Sequence, residues 1–151
     1  MKICLVSSSG GHFYQVWQLK PWWSKYDHFF AAPKKNDVSS LVSKKKLYPL
    51  FFPEHRNIFN FFLNLFLAIK ILLKEKPDII FSAGAGVAPP FFIIGKILRK
   101  KLIFMETYDL IYFPTLSGRI IYKLKLFDKF LIQHQRQKKF YPQAEYWGKS
   151  L

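Results

Sequence analysis

The sequence predicts an α/β domain built on one open, mainly parallel sheet with helices on both faces. Three observations predict it. Apolar runs of strand length recur and are nearly continuous rather than alternating, as in strands buried on both faces. Segments with helical spacing fall between several of these runs. Glycine-containing turns follow the first and fourth runs, where a strand hands over to a helix.

The elements follow in order. The first strand is 2–7, KICLVS, and a helix over 12–20 comes next. The apolar part of that strand, Ile3 to Val6, is too short for the core of a signal peptide, so export is not expected. The second strand, 28–32, runs into a lysine-rich segment, 34–46, read as the most mobile loop. A third strand, 47–52, precedes a long helix over 57–74. The fourth strand is 78–83. A helix over 89–100 opens on Pro89, which suits a first helical turn. The fifth strand is 101–105, a helix follows over 116–124, and the sixth strand is 129–133. There is no internal repeat and no low-complexity linker. The 151 residues suit a single domain over 1–151 with a real core.

Half of the residues are hydrophobic and 19% are aromatic, which excludes a disordered chain. The single cysteine, Cys4, excludes a disulfide framework and a cysteine-based metal site. A reducing, cytoplasmic setting fits. The net charge of +15, from 24 basic and 9 acidic residues, favours an anionic partner: nucleic acid, anionic lipid or a phosphorylated ligand. The cations are spread in short clusters rather than gathered in one clamp.

In sheets of this kind ligands bind beyond the carboxyl ends of the strands. Three features gather there: Ser7–His12 after the first strand, 82–90 after the fourth, and Glu106 with Asp109 after the fifth. The Ser9-Gly10-Gly11 turn lets the backbone approach a ligand, and the helix starting near His12 points its amides at an anion such as phosphate. Gly84, Gly86 and Pro89 repeat that logic. Neither loop is a dinucleotide fingerprint or a P-loop. Glycines at strand–helix turns also occur for steric reasons alone.

The segment NIFNFFLNLFLAIKILL, 57–73, is the most unusual. Asn57, Asn60 and Asn64 form one narrow stripe, and the rest before Lys70 is apolar. Its length as a helix, about 25 Å, falls short of the roughly 30 Å of a bilayer core. Two readings fit. One is a covering helix buried by the sheet and a partner. The other, favoured here, is a helix in the lipid interface, with Phe59, Phe61, Phe62 and Phe66 inserted and the basic surface drawn to anionic lipid. Trp22 and Trp23 either sit at the same interface or belong to the core.

Among the four histidines His12 has the best context, beside a glycine turn at the ligand edge. It suits a base toward a hydroxyl or a donor to a phosphate, or else a residue that only caps or packs. His28 and His55 look incidental, and His134 follows the last strand. Glu106 reaches the same edge, to bind a sugar hydroxyl or to orient His12; Asp109 is a weaker candidate. Nothing in the pattern calls for a metal or another cofactor.

The order of SSSGGH, GAGVAPP, KLIFMET and KFLIQHQRQKKFYPQAEYWG resembles one family across essentially the whole chain. It is the membrane-associated subunit of two-component UDP-sugar glycosyltransferases. Its members include the anchoring subunit of the dolichol-linked UDP-N-acetylglucosamine transferase and bacterial capsule and exopolysaccharide proteins. The resemblance implies a Rossmann-like half enzyme, equivalent to the N-terminal, acceptor-binding half of a GT-B glycosyltransferase. The peptidoglycan N-acetylglucosaminyltransferase has both halves in one chain and a similar GGH turn. A separate catalytic subunit would then hold the UDP-sugar, which explains a chain of this length. The implied acceptor is a sugar on a polyprenyl diphosphate at the cytoplasmic membrane face. Ser9, Gly10, Gly11 and His12 would lie on the acceptor side, and Gly84, Gly86 and Pro89 would hold the diphosphate. Glu106 matches an acidic position of the family. An N-terminal transmembrane helix like that of eukaryotic members is not expected, so attachment would be peripheral. Galactose and N-acetylglucosamine both stay open as the donor sugar.

Two other classes compete. A basic nucleic-acid-binding module would interleave lysines with stacking aromatics on one face, whereas the aromatics here cluster with aliphatics in 57–73, so no nucleic-acid partner is expected. A self-sufficient nucleotide-binding enzyme of doubly wound fold would place an acidic residue after the second strand, where HFFAAPKK ends in lysines.

Overall fold

Along each central strand, successive side chains enter two different cores. Ile3 and Leu5 of β1 (Lys2–Val6) pack with Phe30, Ala32 and Phe81, while Cys4 and Val6 pack with Phe29, Ala31 and Ile80 on the opposite face. A strand covered on both sides has no polar face to display, and this is why the runs read as continuous. A computed structural model describes residues 1–53 and 57–148.

The other strands are β2 (Asp27–Pro33), β3 (Leu47–Leu50), β4 (Ile79–Ser82), β5 (Lys101–Met105), β6 (Lys129–Ile132) and β7 (Glu145–Tyr146). They form one sheet in the order β3-β2-β1-β4-β5-β6-β7, with every pairing parallel. The order reverses between β1 and β4, and the loops leaving those two strands diverge to opposite faces. That divergence opens a crevice at the carboxyl edge.

One face carries α1 (Gly11–Gln18), α2 (Lys20–Trp23) and α3 (Asn36–Ser39), which contribute Phe13, Val16, Trp23 and Val38 to the core. The other carries α4 (Ile58–Glu75), α5 (Ala88–Ile97) and α6 (Leu116–Lys123). The segment expected to be a mobile loop, 34–46, folds instead into α3 and a 3₁₀ turn, Lys44–Lys46. Val38 is its buried anchor. Strand β7 was not anticipated, because its two residues are exposed and carry no apolar run.

Helix α4 inverts the usual arrangement of an amphipathic helix. Its asparagines face the protein: Asn64 exchanges two hydrogen bonds with the main chain of Phe51 (2.9 and 3.1 Å), and Asn60 donates to the Pro53 carbonyl (2.8 Å). Asn57 caps the helix by accepting from the Asn60 amide at 3.0 Å. Lys76, in the left-handed conformation, ends it before Pro77. With the polar stripe inside, three of the helix's four phenylalanines point outward. Phe59, Phe62 and Phe66 are 70%, 62% and 67% exposed, and Ile69 and Leu73 continue the row. Among the described residues no helix is long and apolar enough to cross a membrane.

Candidate functional site

A groove of about 610 Å³ opens at the carboxyl edge of the sheet. Its walls come from the starts of three helices. Asn57, Ile58 and Phe61 belong to α4; Ala85, Gly86 and Pro89 lead into α5; Thr115, Leu116 and Ser117 begin α6. His12, at the start of α1, closes one end. Among the described residues no Asp, Glu, Lys or Arg lines it. The positive ends of the helix dipoles therefore border a space whose walls are mostly apolar, with His12, Asn57, Thr115 and Ser117 as its polar side chains.

His12 is held in one tautomer. Its Nδ1 lies 3.0 Å from the Ala83 carbonyl oxygen, which can only accept, so Nδ1 carries the proton and Nε2 presents a lone pair. Gly84 makes this seat possible. It sits at φ +88°, and a Cβ there would lie 2.9 Å from His12 Nδ1. Gly84 thus seats the histidine, while Gly86 and Pro89 line the groove.

The Ser9-Gly10-Gly11 turn is differently occupied. The Gly10 amide donates to Asp37 Oδ2 at 2.6 Å, from the α3 segment. An anion at that amide would meet this carboxylate, so the turn as it stands is not the open phosphate cradle that its glycines suggest. The Ser8 hydroxyl donates to the Ser9 carbonyl at 3.2 Å.

Glu106 occupies a place its sequence position did not foretell. It is wholly buried, and its carboxylate accepts from the Thr107 amide (2.9 Å), the Thr115 hydroxyl (2.8 Å) and the Tyr141 hydroxyl. Among the described residues no hydrogen bond joins it to His12, and it does not line the groove; its hydrogen-bond partners are internal. It ties the start of α6 to β5. Burial, and then the negative charge of Glu106, hold the Tyr141 phenol well above its ordinary range. Gly118 packs so closely on this cluster that a Cβ would land on Glu106 and Tyr141.

The aromatic expectations divide. Phe61 turns into the groove rather than outward with its neighbours. Trp23 is 2% exposed, with its indole donating to the Val16 carbonyl at 2.8 Å. It is a core residue and cannot serve as an interfacial anchor. Trp22 packs edge-on against Phe81 at 5.3 Å and is half-buried. His28 stacks near Trp23, and His134 packs on Tyr108 at 4.6 Å and caps the 3₁₀ turn Gln135–Lys139. His55 lies outside the described residues. Cys4 is fully buried, and burial pushes its thiol well up, away from reactivity.

Three buried glutamines at this edge were not singled out from the sequence. Gln15 Nε2 donates to Thr107 Oγ1 at 2.8 Å, and its Oε1 accepts from the Tyr108 amide (3.1 Å) and Gln133 Nε2 (2.9 Å). Gln137 Oε1 accepts from the amides of Gln133 and His134, and its Nε2 donates to the carbonyls of Thr107 and Leu110. The available signal was glutamine close after the first and sixth strands in so apolar a chain, where an amide must find partners or stay wet.

The family described as oligosaccharide biosynthesis protein Alg14 like matches residues 53–150, more than half of the chain. The chain is 27% identical over 99 residues to the UDP-N-acetylglucosamine transferase subunit ALG14 of Mus musculus. That match covers 62% of this chain and 45% of the mouse protein, so the chain spans less than half of that relative's length. Among solved structures it superposes on MurG of Acinetobacter baumannii with a TM-score of 0.71 at 12% identity, covering 89% of this chain and 42% of that one. A UDP-N-acetylglucosamine 2-epimerase gives a TM-score of 0.73 at 12% identity, covering 96% of this chain and 46% of that one. The fold is therefore the Rossmann-like unit of which GT-B glycosyltransferases and these epimerases are built.

Proposed function

Because the chain belongs to the Alg14-like family of oligosaccharide biosynthesis proteins, we propose that it is the acceptor-side subunit of a two-component UDP-sugar glycosyltransferase. It works with a separate donor-binding subunit at the cytoplasmic face of the cell membrane, in bacterial capsule or exopolysaccharide synthesis. The sugar, galactose or N-acetylglucosamine, passes from the UDP-sugar to an acceptor on a polyprenyl diphosphate. The observation that carries this reading is the groove itself: apolar walls, converging helix starts and a histidine with a free Nε2.

The chemistry follows from that arrangement. The acceptor hydroxyl attacks the anomeric carbon of the partner-held sugar as its proton passes to His12 Nε2. The bond from that carbon to the UDP oxygen breaks, UDP leaves with the bonding electrons, and configuration inverts. A positioned base of this kind contributes on the order of 10²–10⁴ in rate. The diphosphate lies near Gly86, on the side of the positive end of the α5 dipole, although Pro89 and Pro90 in the first turn carry no N–H to donate. The first isoprene units lie along Ile58, Phe61 and Leu116. The outward row of Phe59, Phe62 and Phe66 enters the lipid interface, with the exposed Lys70 and Lys74 of the same helix near the headgroups.

The test is sugar transfer to a lipid-linked acceptor by this chain, by a candidate donor-binding subunit of the same organism, and by both together. Only the pair should be fully active, and His12→Ala should lower its rate about 10²-fold or more without dissociating it. Full activity of the partner alone, unchanged by adding this chain, would refute the acceptor-side role.

A further inference from the structure

Leu110 and Pro114 to Ser117 supply one wall of the groove, and His12 of α1 lines it as well. Helix α1 has only eight residues and no side-chain cap at its start. Among the described residues, two of its side chains hydrogen-bond to the carboxyl edge of the sheet. One is His12, through the Ala83 carbonyl; the other is Gln15, one turn later. Gln15 is buried, and both ends of its amide are used, on Thr107, Tyr108 and Gln133. A leucine would satisfy the core equally well. It would remove the bonds that Gln15 gives to Thr107, Tyr108 and Gln133 and leave, of the two side-chain hydrogen bonds from α1 to this edge, that of the histidine.

The bonds also run beyond α1. Gln133 Nε2 donates to the Glu106 carbonyl at 3.0 Å, and Gln137 holds the Thr107 and Leu110 carbonyls at 3.0 and 3.2 Å. The main chain that leads to the groove wall is thus fixed at Glu106, Thr107, Tyr108 and Leu110 by amide side chains from α1, from the residue after β6 and from the 3₁₀ turn Gln135–Lys139. Networks of this kind favour one arrangement when every member is satisfied.

We infer that Gln15 is a positioning residue: by joining α1 to Thr107 and Tyr108, just before the wall that Leu110 begins, it sets the place of His12 Nε2 in the groove. Where turnover is concerned this rests on the reading of His12 as the base. The placement of the ring is independent of that reading.

The test has two arms. In the first, nitrogen NMR of labelled histidine in the chain alone reports the His12 tautomer. The wild type should show a single Nδ1-protonated form, and Gln15→Leu a mixture of both. In the second, sugar transfer by the complex should fall about 10- to 100-fold in kcat for Gln15→Leu, with KM changed by less than about twofold. Gln15→Glu should restore both, because a carboxylate accepts from Tyr108 and Gln133 and from a rotated Thr107 hydroxyl. If Gln15→Leu fails to fold, Gln15→Met, which keeps the length of the side chain and removes the same amide, serves the same measurements. A folded variant of either kind with His12 still locked in one tautomer overturns the inference, even where kcat falls. A wild-type complex without any sugar transfer would fail the proposed function and leave the first arm intact.

Discussion

Gly84→Ala puts a methyl group where the His12 ring lies. The new Cβ would stand 2.9 Å from Nδ1 and 3.0 Å from Cε1, inside van der Waals contact, so either the ring or the backbone must move. Two costs follow. An L residue held in the left-handed region at φ +88° costs roughly 1–2 kcal/mol. Loss of the bond to the Ala83 carbonyl costs about 1 kcal/mol more. The sum, about 2–3 kcal/mol, lowers Tm by about 4–12 °C at roughly 2–4 °C per kcal/mol for a chain of this size. Gly10→Ala separates the two costs, because Gly10 has φ +76° but nothing within 4 Å of its added Cβ. It should show the backbone cost alone and leave the His12 tautomer as it was. Thermal unfolding followed by circular dichroism, with histidine NMR, compares the variants. If Gly84→Ala lowers Tm no more than Gly10→Ala and keeps His12 in its Nδ1-protonated form, the steric reasoning is wrong.

The remaining predictions concern three other regions. Gly118→Ala, whose methyl would land among Glu106, Tyr141 and Thr115, should cost at least about 1–3 kcal/mol by overpacking; denaturant unfolding measures it. Phe62→Ser with Phe66→Ser should leave stability within about 0.5 kcal/mol, since both rings are exposed. The pair should nonetheless weaken co-sedimentation with anionic phosphatidylglycerol vesicles about 100-fold, at roughly 1.5 kcal/mol per buried ring. Glu75 accepts hydrogen bonds from Lys2 and then Tyr48, which hold its carboxyl below the ordinary value of 4.5. The folded protein therefore binds that proton less readily than the unfolded chain, so the contribution is complete above 4.5 and is lost as pH falls through the lowered value. Between about pH 5 and pH 3, Tm should fall more steeply in the wild type than in Glu75→Gln.

The layered architecture was legible because burial on both faces leaves a plain mark. Strands β1, β4 and β5 are apolar nearly throughout, and the turns at Gly10 and Gly84 mark where they end. Strand β7 left no such mark, since a two-residue exposed edge strand buries nothing. Helix α3 was hidden among lysines, where one inward residue, Val38, decides the outcome. At the site the sequence located His12 and the glycine loops. It could not tell a carboxylate that faces ligand from one that faces protein. Glu106 faces inward and Asp37 reaches the glycine turn because their partners, Tyr141 and Gly10, are distant in sequence and adjacent only in the fold. The same reason hid the glutamines: Gln15 and Gln133 meet across 118 positions.

The distribution of charge bears on how a lipid-linked anion would reach the groove. The chain carries +15, yet no charged side chain lines the groove among the described residues. Surface lysines act over about a Debye length and raise the local concentration of any anionic surface, with little choice among ligands. Discrimination is left to the groove, where helix starts favour negative charge and Ile58, Phe61 and Leu116 favour hydrocarbon. Helix α4 joins these two levels. Its first turn lines the groove through Ile58 and Phe61, while Phe59 and Phe62, in the same turns, point outward. If the outward row lies in a bilayer, the groove mouth stands within about one helical pitch, roughly 5.4 Å, of the lipid surface. A polyprenyl tail would then stay largely in the membrane while its diphosphate reaches the start of α5. Added salt should therefore weaken vesicle binding through the lysines and leave the difference between wild type and the Phe62/Phe66 double variant nearly constant. A difference that vanished at high salt would mean that the aromatic row contributes no hydrophobic insertion, and the groove would lose its place beside the membrane.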